Sequence, residues 1–170
     1  MCARRADYRS RIPAGMMAEI VIRQGREPDK AFARELGLRT MADSVAPFRT
    51  FVPALLEASY ENLLDFVFAQ SHIMFVAELA GRGVAFLLML DSMPDEVTQT
   101  AQGFIAYMAV EPSARRCGIA TRLLTAAENE ARSRGLPYMG LMVTETNAAA
   151  RALYERAGYL TERRLLCKPL

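Results

Sequence analysis

Two short segments of this chain carry residues whose types and spacing could do chemistry. In the first, Val110-Glu111-Pro112-Ser113-Ala114-Arg115-Arg116-Cys117-Gly118-Ile119-Ala120-Thr121, an apolar run gives way to a helix. A helix start leaves backbone N–H groups unpaired at the positive end of the peptide dipoles, so a diphosphate can be held there with few cationic side chains. The small residues Gly118 and Ala120 keep that approach open. An ordinary strand-to-helix turn, with small residues serving only packing, is the alternative reading of the same segment. In the second segment Asn147 is placed to cap a helix, and Tyr154 follows seven residues later on the same face, two turns or roughly 10 Å further on. Both can face one groove. A cap and a core aromatic whose hydroxyl finds a partner is again the alternative.

The remaining candidates are weaker. Glu145, two residues before Asn147, and Glu111, just past the apolar run, are the carboxylates nearest in sequence to these segments; each also reads as a solvated strand-end residue. His72 is the only histidine, so a histidine-based metal site is not available and a structural or surface role is expected. Cys117 sits at a helix start, where a thiol pKa can fall, yet filler is the expected role. Asp91, Asp95 and Glu96 form an acidic loop that could attract a cationic amine or simply be solvated.

The elements that must position these residues follow from periodicity. Ala18 to Arg23 reads as a strand, Pro28 to about Val45 as an amphipathic helix, and a second helix starts at Pro53 and exits at Ser71 and His72. Ile73 to Leu79 and Val84 to Leu90 are apolar runs joined by Ala80-Gly81-Arg82-Gly83, a hairpin signal, and a polar loop covers Asp91 to Thr100. Gly103 to Val110, apolar nearly throughout, suits a strand covered on both faces. Ile119, Leu123, Ala127 and Ala131 keep one helical face apolar up to Gly135. Strands at Leu141 to Val143 and Arg163 to Cys167 flank a helix from Ala148 to Ala157. The order β-α-α-β-β-β-α-β-α-β predicts an α/β fold, a mixed sheet with about four helices on its faces.

Composition narrows the classes. With 170 residues, 52% of them hydrophobic, one domain over 16–170 is expected, with 1–15 as a disordered tail. The net charge of +2 is set by Arg4, Arg5, Arg9 and Arg11 against Asp7, which leaves the rest of the chain at about −1. No basic face for nucleic acid is expected. Three widely spaced cysteines, Cys2, Cys117 and Cys167, argue for a reducing, cytoplasmic setting and against a disulfide framework or zinc site. The longest apolar run is far short of a bilayer span, so no membrane partner is expected.

Taken together, the two segments resemble the GNAT superfamily of acyl-CoA-dependent N-acetyltransferases. Its acyl-CoA pattern, Gln/Arg-x-x-Gly-x-Gly/Ala, is met by Arg115, Gly118 and Ala120, and its later signature by Asn147, Ala150, Tyr154, Gly158 and Tyr159. The resemblance implies acetyl-CoA as co-substrate, no metal, and direct transfer in a ternary complex to an amine of a small molecule or peptide, and it leaves room for a homodimer. It further implies that the backbone of Met108, Ala109 and Val110 pairs with pantetheine. The amides of Arg116, Cys117, Gly118, Ile119, Ala120 and Thr121 would hold the pyrophosphate, Asn147 would contact the pantetheine arm, and Tyr154 would act as general acid. The acceptor pocket would come from about Gly25 to Tyr60. Two departures stand out: the strand from Gly103 to Val110 has no carboxylate, and Met142 occupies the position where the ribosomal-protein N-terminal acetylases carry a glutamate. The general base is thus unassigned, with Glu145 as the candidate. A non-catalytic acyl-CoA sensor is the second reading, and a partner-binding domain using a strand edge the third.

Overall fold

Residues 19–169 are described by a computed structural model. Five strands, β1 (Ile20–Gln24), β2 (His72–Leu79), β3 (Arg82–Pro94), β4 (Ala101–Val110) and β5 (Met139–Leu141), lie side by side in that order. Four helices accompany them: α1 (Asp29–Thr40), α2 (Pro53–Ala69), α3 (Ile119–Ser133) and α4 (Ala148–Arg156). The strands β1 to β4 are antiparallel to their neighbours, and β5 joins β4 in parallel through α3. The expected tail at 1–15 and Cys2 lie outside the described residues.

The apolar runs in β2 and β3 lack a polar face because helices cover both sides of the sheet. One set of alternate residues, Phe75, Ala77, Ala85, Leu87 and Met89, packs with Leu123, Leu124, Ala127 and Ala131 of α3. The other set, Met74, Val76, Phe86, Leu88 and Leu90, packs with Ala33 and Leu36 of α1 and Tyr60, Leu64 and Val67 of α2. The hairpin between β2 and β3 turns through two residues with positive φ, Ala80 at 53° and Gly81 at 73°, as a two-residue turn matched to strand twist requires.

Several boundaries differ from the sequence reading. The strand expected at Val84 to Leu90 runs from Arg82 to Pro94, so Asp91 to Pro94, read as the start of a polar loop, continue the ladder with β4. The first helix stops at Thr40, whose hydroxyl donates to the carbonyls of Leu36 and Gly37, and the chain tightens into a 3₁₀ turn at Met41–Ser44. The fifth strand is Met139–Leu141 rather than 141–143, because it leaves β4 after Leu141. The strand expected at Arg163 to Cys167 does not form: the side chain of Arg163 is drawn to Asp95, and Leu165 and Leu166 stay in solvent with no ladder to join.

Candidate active site

The site begins with a register change. Leu88 of β3 faces Tyr107, but Met89 faces Ile105, so Ala106 is an extra residue in β4. This bulge turns Ala106 and Tyr107 together toward the α1–α2 face, where both pack. On its other side β4 pairs with β5 only through Gly103, Phe104 and Ile105. From Ala106 onward that edge has no strand partner among the described residues, and the two strands part. A cavity of about 180 Å³ fills the gap, lined by residues 105–108, 141–144, Ser44, Asn147, Ala150 and Tyr154.

Helix α4 delivers two of the expected residues to this cleft. Asn147 is its N-cap, with Oδ1 accepting from the Ala150 amide at 3.2 Å. That bond leaves the side-chain NH₂ free of any protein partner among the described residues. Tyr154, two turns on, is half-buried against the edge of Tyr159, and its hydroxyl meets no protein partner among the described residues. Burial raises the Tyr154 pKa above that of an ordinary phenol, so it keeps its proton through the neutral range.

The free edge of β4 leads into the loop before α3. There Arg116 has φ 69° and Gly118, the N-cap of α3, has φ 78°. Among the described residues, no oxygen accepts from the amides of Arg116 and residues 118–121, while the Cys117 amide closes the turn through Arg115 and Arg116; the first helical bond of α3 runs from Arg122 to the Gly118 carbonyl. A Cβ on Gly118 would meet no atom within 4 Å, so the ground before those amides is open. A run of unpaired donors at a helix start suits an anion.

The rest of the expected set divides. Met108 lines the cleft, whereas Ala109 is buried beneath α1 and α2 and the Val110 carbonyl already accepts from Arg115 Nε at 3.1 Å. Arg115 also reaches Asp43 at 2.9 Å. Glu145 is not among the cleft residues; its exposed carboxylate pairs with Arg151 at 3.0 Å. Glu111 is held by Arg39 at 2.6 Å. His72 opens β2, where its ring packs on Phe68 and Nδ1 lies 2.9 Å from the Gln70 carbonyl. Cys117 is exposed on the loop. Asp95, in the acidic loop, accepts from the Thr98 amide and from Arg163, which hold its carboxyl well below the usual range. Among the described residues no cluster of three potential metal ligands occurs, and no helix is long and apolar enough to cross a membrane.

Sequence reasoning missed Tyr107, Ser44 and Thr144, which also line the cleft. Tyr107 stacks on Phe86, lies 4.9 Å from the Tyr60 ring and aims its hydroxyl at the Gly37 carbonyl. The Thr144 hydroxyl donates to the Ser44 carbonyl, which ties the turn after α1 across the cleft to the loop that follows β5. A lone tyrosine in an apolar strand was the available signal for Tyr107; none marked the other two.

The sequence model of the acetyltransferase (GNAT) family matches residues 38–159, from within α1 to the end of the Asn147 and Tyr154 segment. The chain belongs to the GNAT family. Solved structures agree in fold. A Pyrococcus furiosus protein assigned as an acetyl transferase is 25% identical, with a TM-score of 0.77 over 89% of this chain and 100% of its own. The aminoglycoside N-acetyltransferase AAC(6')-Iy, in complex with the bisubstrate analogue CoA-S-monomethyl-acetylneamine, is 20% identical, with a TM-score of 0.64 over 90% and 99%. An acetyltransferase of Clostridium acetobutylicum solved with acetyl-CoA is 22% identical, with a TM-score of 0.60 over 89% and 96%. Comparison with curated proteins finds no match. The mixed sheet with four helices is therefore that of a GNAT acyltransferase.

Proposed function

We propose that this GNAT chain takes acetyl-CoA along the free edge of β4 and passes the acetyl group directly to a primary amine of a small molecule or peptide. The observation that carries this reading is one continuous path. The parted strands, with Asn147 and Tyr154 at the cleft, run into the amides at the start of α3, five of which meet no oxygen acceptor among the described residues. These features fit the parts of the molecule in order. The amides of Arg116 to Thr121 suit a pyrophosphate, the unpaired edge from Ala106 suits amide groups of the pantetheine arm, and the Asn147 NH₂ is a donor beside it. Bound there, acetyl-CoA supplies an activated acyl group and a thiol leaving group. The complex of AAC(6')-Iy with an analogue joining CoA to an acetylneamine supports an amine as the acceptor class.

Tyr154 has the role of proton donor to the departing sulfur. Its hydroxyl has no protein partner among the described residues and keeps its proton, and a phenol with a raised pKa gives that proton to a thiolate, which is the weaker base, only when held close to the sulfur as the C–S bond breaks. Among the described residues the cleft lining holds no Asp, Glu, His or Lys. The acceptor must therefore enter as the neutral amine, and positioning between the turn carrying Ser44 and the strand ends carries much of the rate. The test is a panel of amines and peptides offered with acetyl-CoA. Thiol release with acetylation of at least one amine is expected. Tight acetyl-CoA binding with no turnover across the panel would favour the sensor reading instead.

A further inference from the structure

The chain that leaves the turn at Ser44 reaches α2 through residues 45–52, and this short passage shows large apolar side chains to solvent. Phe48, Phe51 and Val52, with Leu55 in the first turn of α2, are between 48% and 69% exposed. Thr50, Phe51, Val52, Leu55, Leu56 and Ser59 line a shallow groove of about 420 Å³. The start of a helix accounts for only part of this surface. Phe51 and Leu56 occupy the two positions of a hydrophobic staple around the start at Pro53. Val52 and Leu55 lie outside that pair, and Val52 stands at the N-cap, where a polar side chain would satisfy a free amide. Apolar surface is therefore presented where helix stability favours a polar residue, and contiguous exposed surface of this kind marks a binding groove.

The groove is continuous with the cleft. Ser44 lines the cleft, and the passage beyond it is kept compact by a turn in which the Arg49 amide donates to the Ala46 carbonyl. Such a turn, with one Cα step on either side, puts Thr50 within about 15 Å of Val45. On α2, Tyr60 comes one turn after Leu56, and its ring meets that of Tyr107 in the cleft lining; all three share one apolar cluster. Charge then narrows what fits. From Ser44 to Leu56 the only charged residue is Arg49, whose guanidinium lies over Phe48, 5.7 Å from the ring centre. Asp43 is already paired with Arg115, and Glu57 is not among the groove residues. A second cation on an acceptor meets no counter-charge there, whereas an apolar tail meets apolar surface. We propose that the acceptor is a small primary amine with a long apolar tail. Its amino group sits in the cleft beside Ser44, and its tail follows residues 45–52 into the groove at Phe51 and Leu55. The proposal rests on the reading of the cleft as an acetyl-transfer site and names the substrate class of that site.

The test offers the full chain acetyl-CoA with straight-chain primary amines from ethylamine to octylamine, which share nearly the same basicity, and with spermidine as a polycation of similar length. A fully buried methylene strengthens binding about fourfold; at about twofold each in an open groove, kcat/KM should rise about 50-fold from ethylamine to octylamine. Spermidine should stay near ethylamine. Leu55→Asp should bring the octylamine-to-ethylamine ratio within a few-fold of one, with unchanged circular dichroism, because an aspartate in the first turn of α2 suits the helix dipole. A rate independent of chain length overturns the proposal. So does a preference for spermidine, or a preference for octylamine that Leu55→Asp leaves intact. Calorimetric titration of octylamine into the CoA-saturated protein separates this proposal from the reading beneath it. Binding that weakens tenfold or more in Leu55→Asp, without turnover of any amine, contradicts acetyl transfer and supports the groove. Turnover of ethylamine with no binding of octylamine contradicts the groove alone.

Discussion

Gly118 gives a quantitative test of the loop. Its φ of 78° lies where a residue with a Cβ pays about 1–2 kcal/mol. At roughly 2–4 °C per kcal/mol for a chain of this size, Gly118→Ala should melt about 2–8 °C lower. The added methyl meets no atom of the protein, so packing adds nothing to that loss. In the complex, however, the methyl occupies the open ground before the amides of 116–121. Losing one charge-assisted hydrogen bond, about 1.5–3 kcal/mol, weakens acetyl-CoA binding by about 10-fold to 150-fold. A matched control exists at Gly81, with φ 73° and equally open surroundings in the β2–β3 turn. Gly81→Ala should show the same thermal loss and wild-type affinity. Thermal melts and calorimetric titration of acetyl-CoA on both variants check this. Equal affinities in the two would refute the assignment of the loop. Gly118→Val is a poorer probe because a β-branched residue at this φ disturbs the fold as well.

Three further outcomes are expected. Asn147→Ala should lose about 1 kcal/mol of stability with the cap and about fivefold in acetyl-CoA affinity, whereas Asn147→Asp should recover the stability but not the affinity; calorimetry separates the two, and a loss beyond a hundredfold would mean a different role. With no titratable base in the cleft lining, kcat/KM should rise about tenfold per pH unit up to the pKa of the acceptor amine, and a plateau that stays near pH 6 to 7 whatever the amine would contradict this. Tyr60, Tyr107, Tyr154 and Tyr159 all have burial-raised pKa values, so folding stability should be fully present below the free phenol value of about 10 and decline as pH rises through the folded values; a urea midpoint unchanged to pH 11 would contradict the burial.

The contacts that short-range pattern controls were legible in the sequence. The Asn147 cap, the two-turn reach to Tyr154, the turn at Ala80 and Gly81 and the helical face of α3 each depend on residues a few positions apart. The strand at Arg163 to Cys167 was misread because strand propensity needs a neighbouring ladder, and here the Arg163 pair with Asp95 holds the segment elsewhere. Tyr107 escaped because its direction is set by the extra residue Ala106 in the register between β3 and β4. Ser44 and Thr144 lie 100 positions apart and meet only once the sheet has brought their loops together. Glu145, close to Asn147 in sequence, sits in the turn before the cap, where its carboxylate pairs with Arg151 outside the cleft.

The most direct measurement is the turnover of Tyr154→Phe, which keeps the ring and its packing on Tyr159 and removes only the donor. In this variant kcat should fall by about 10²-fold to 10⁴-fold, with acetyl-CoA affinity within a few-fold of wild type, and part of the loss should return with an acyl donor whose thiol is more acidic. A Phe variant that turns over like wild type would contradict it and leave Tyr154 as packing alone.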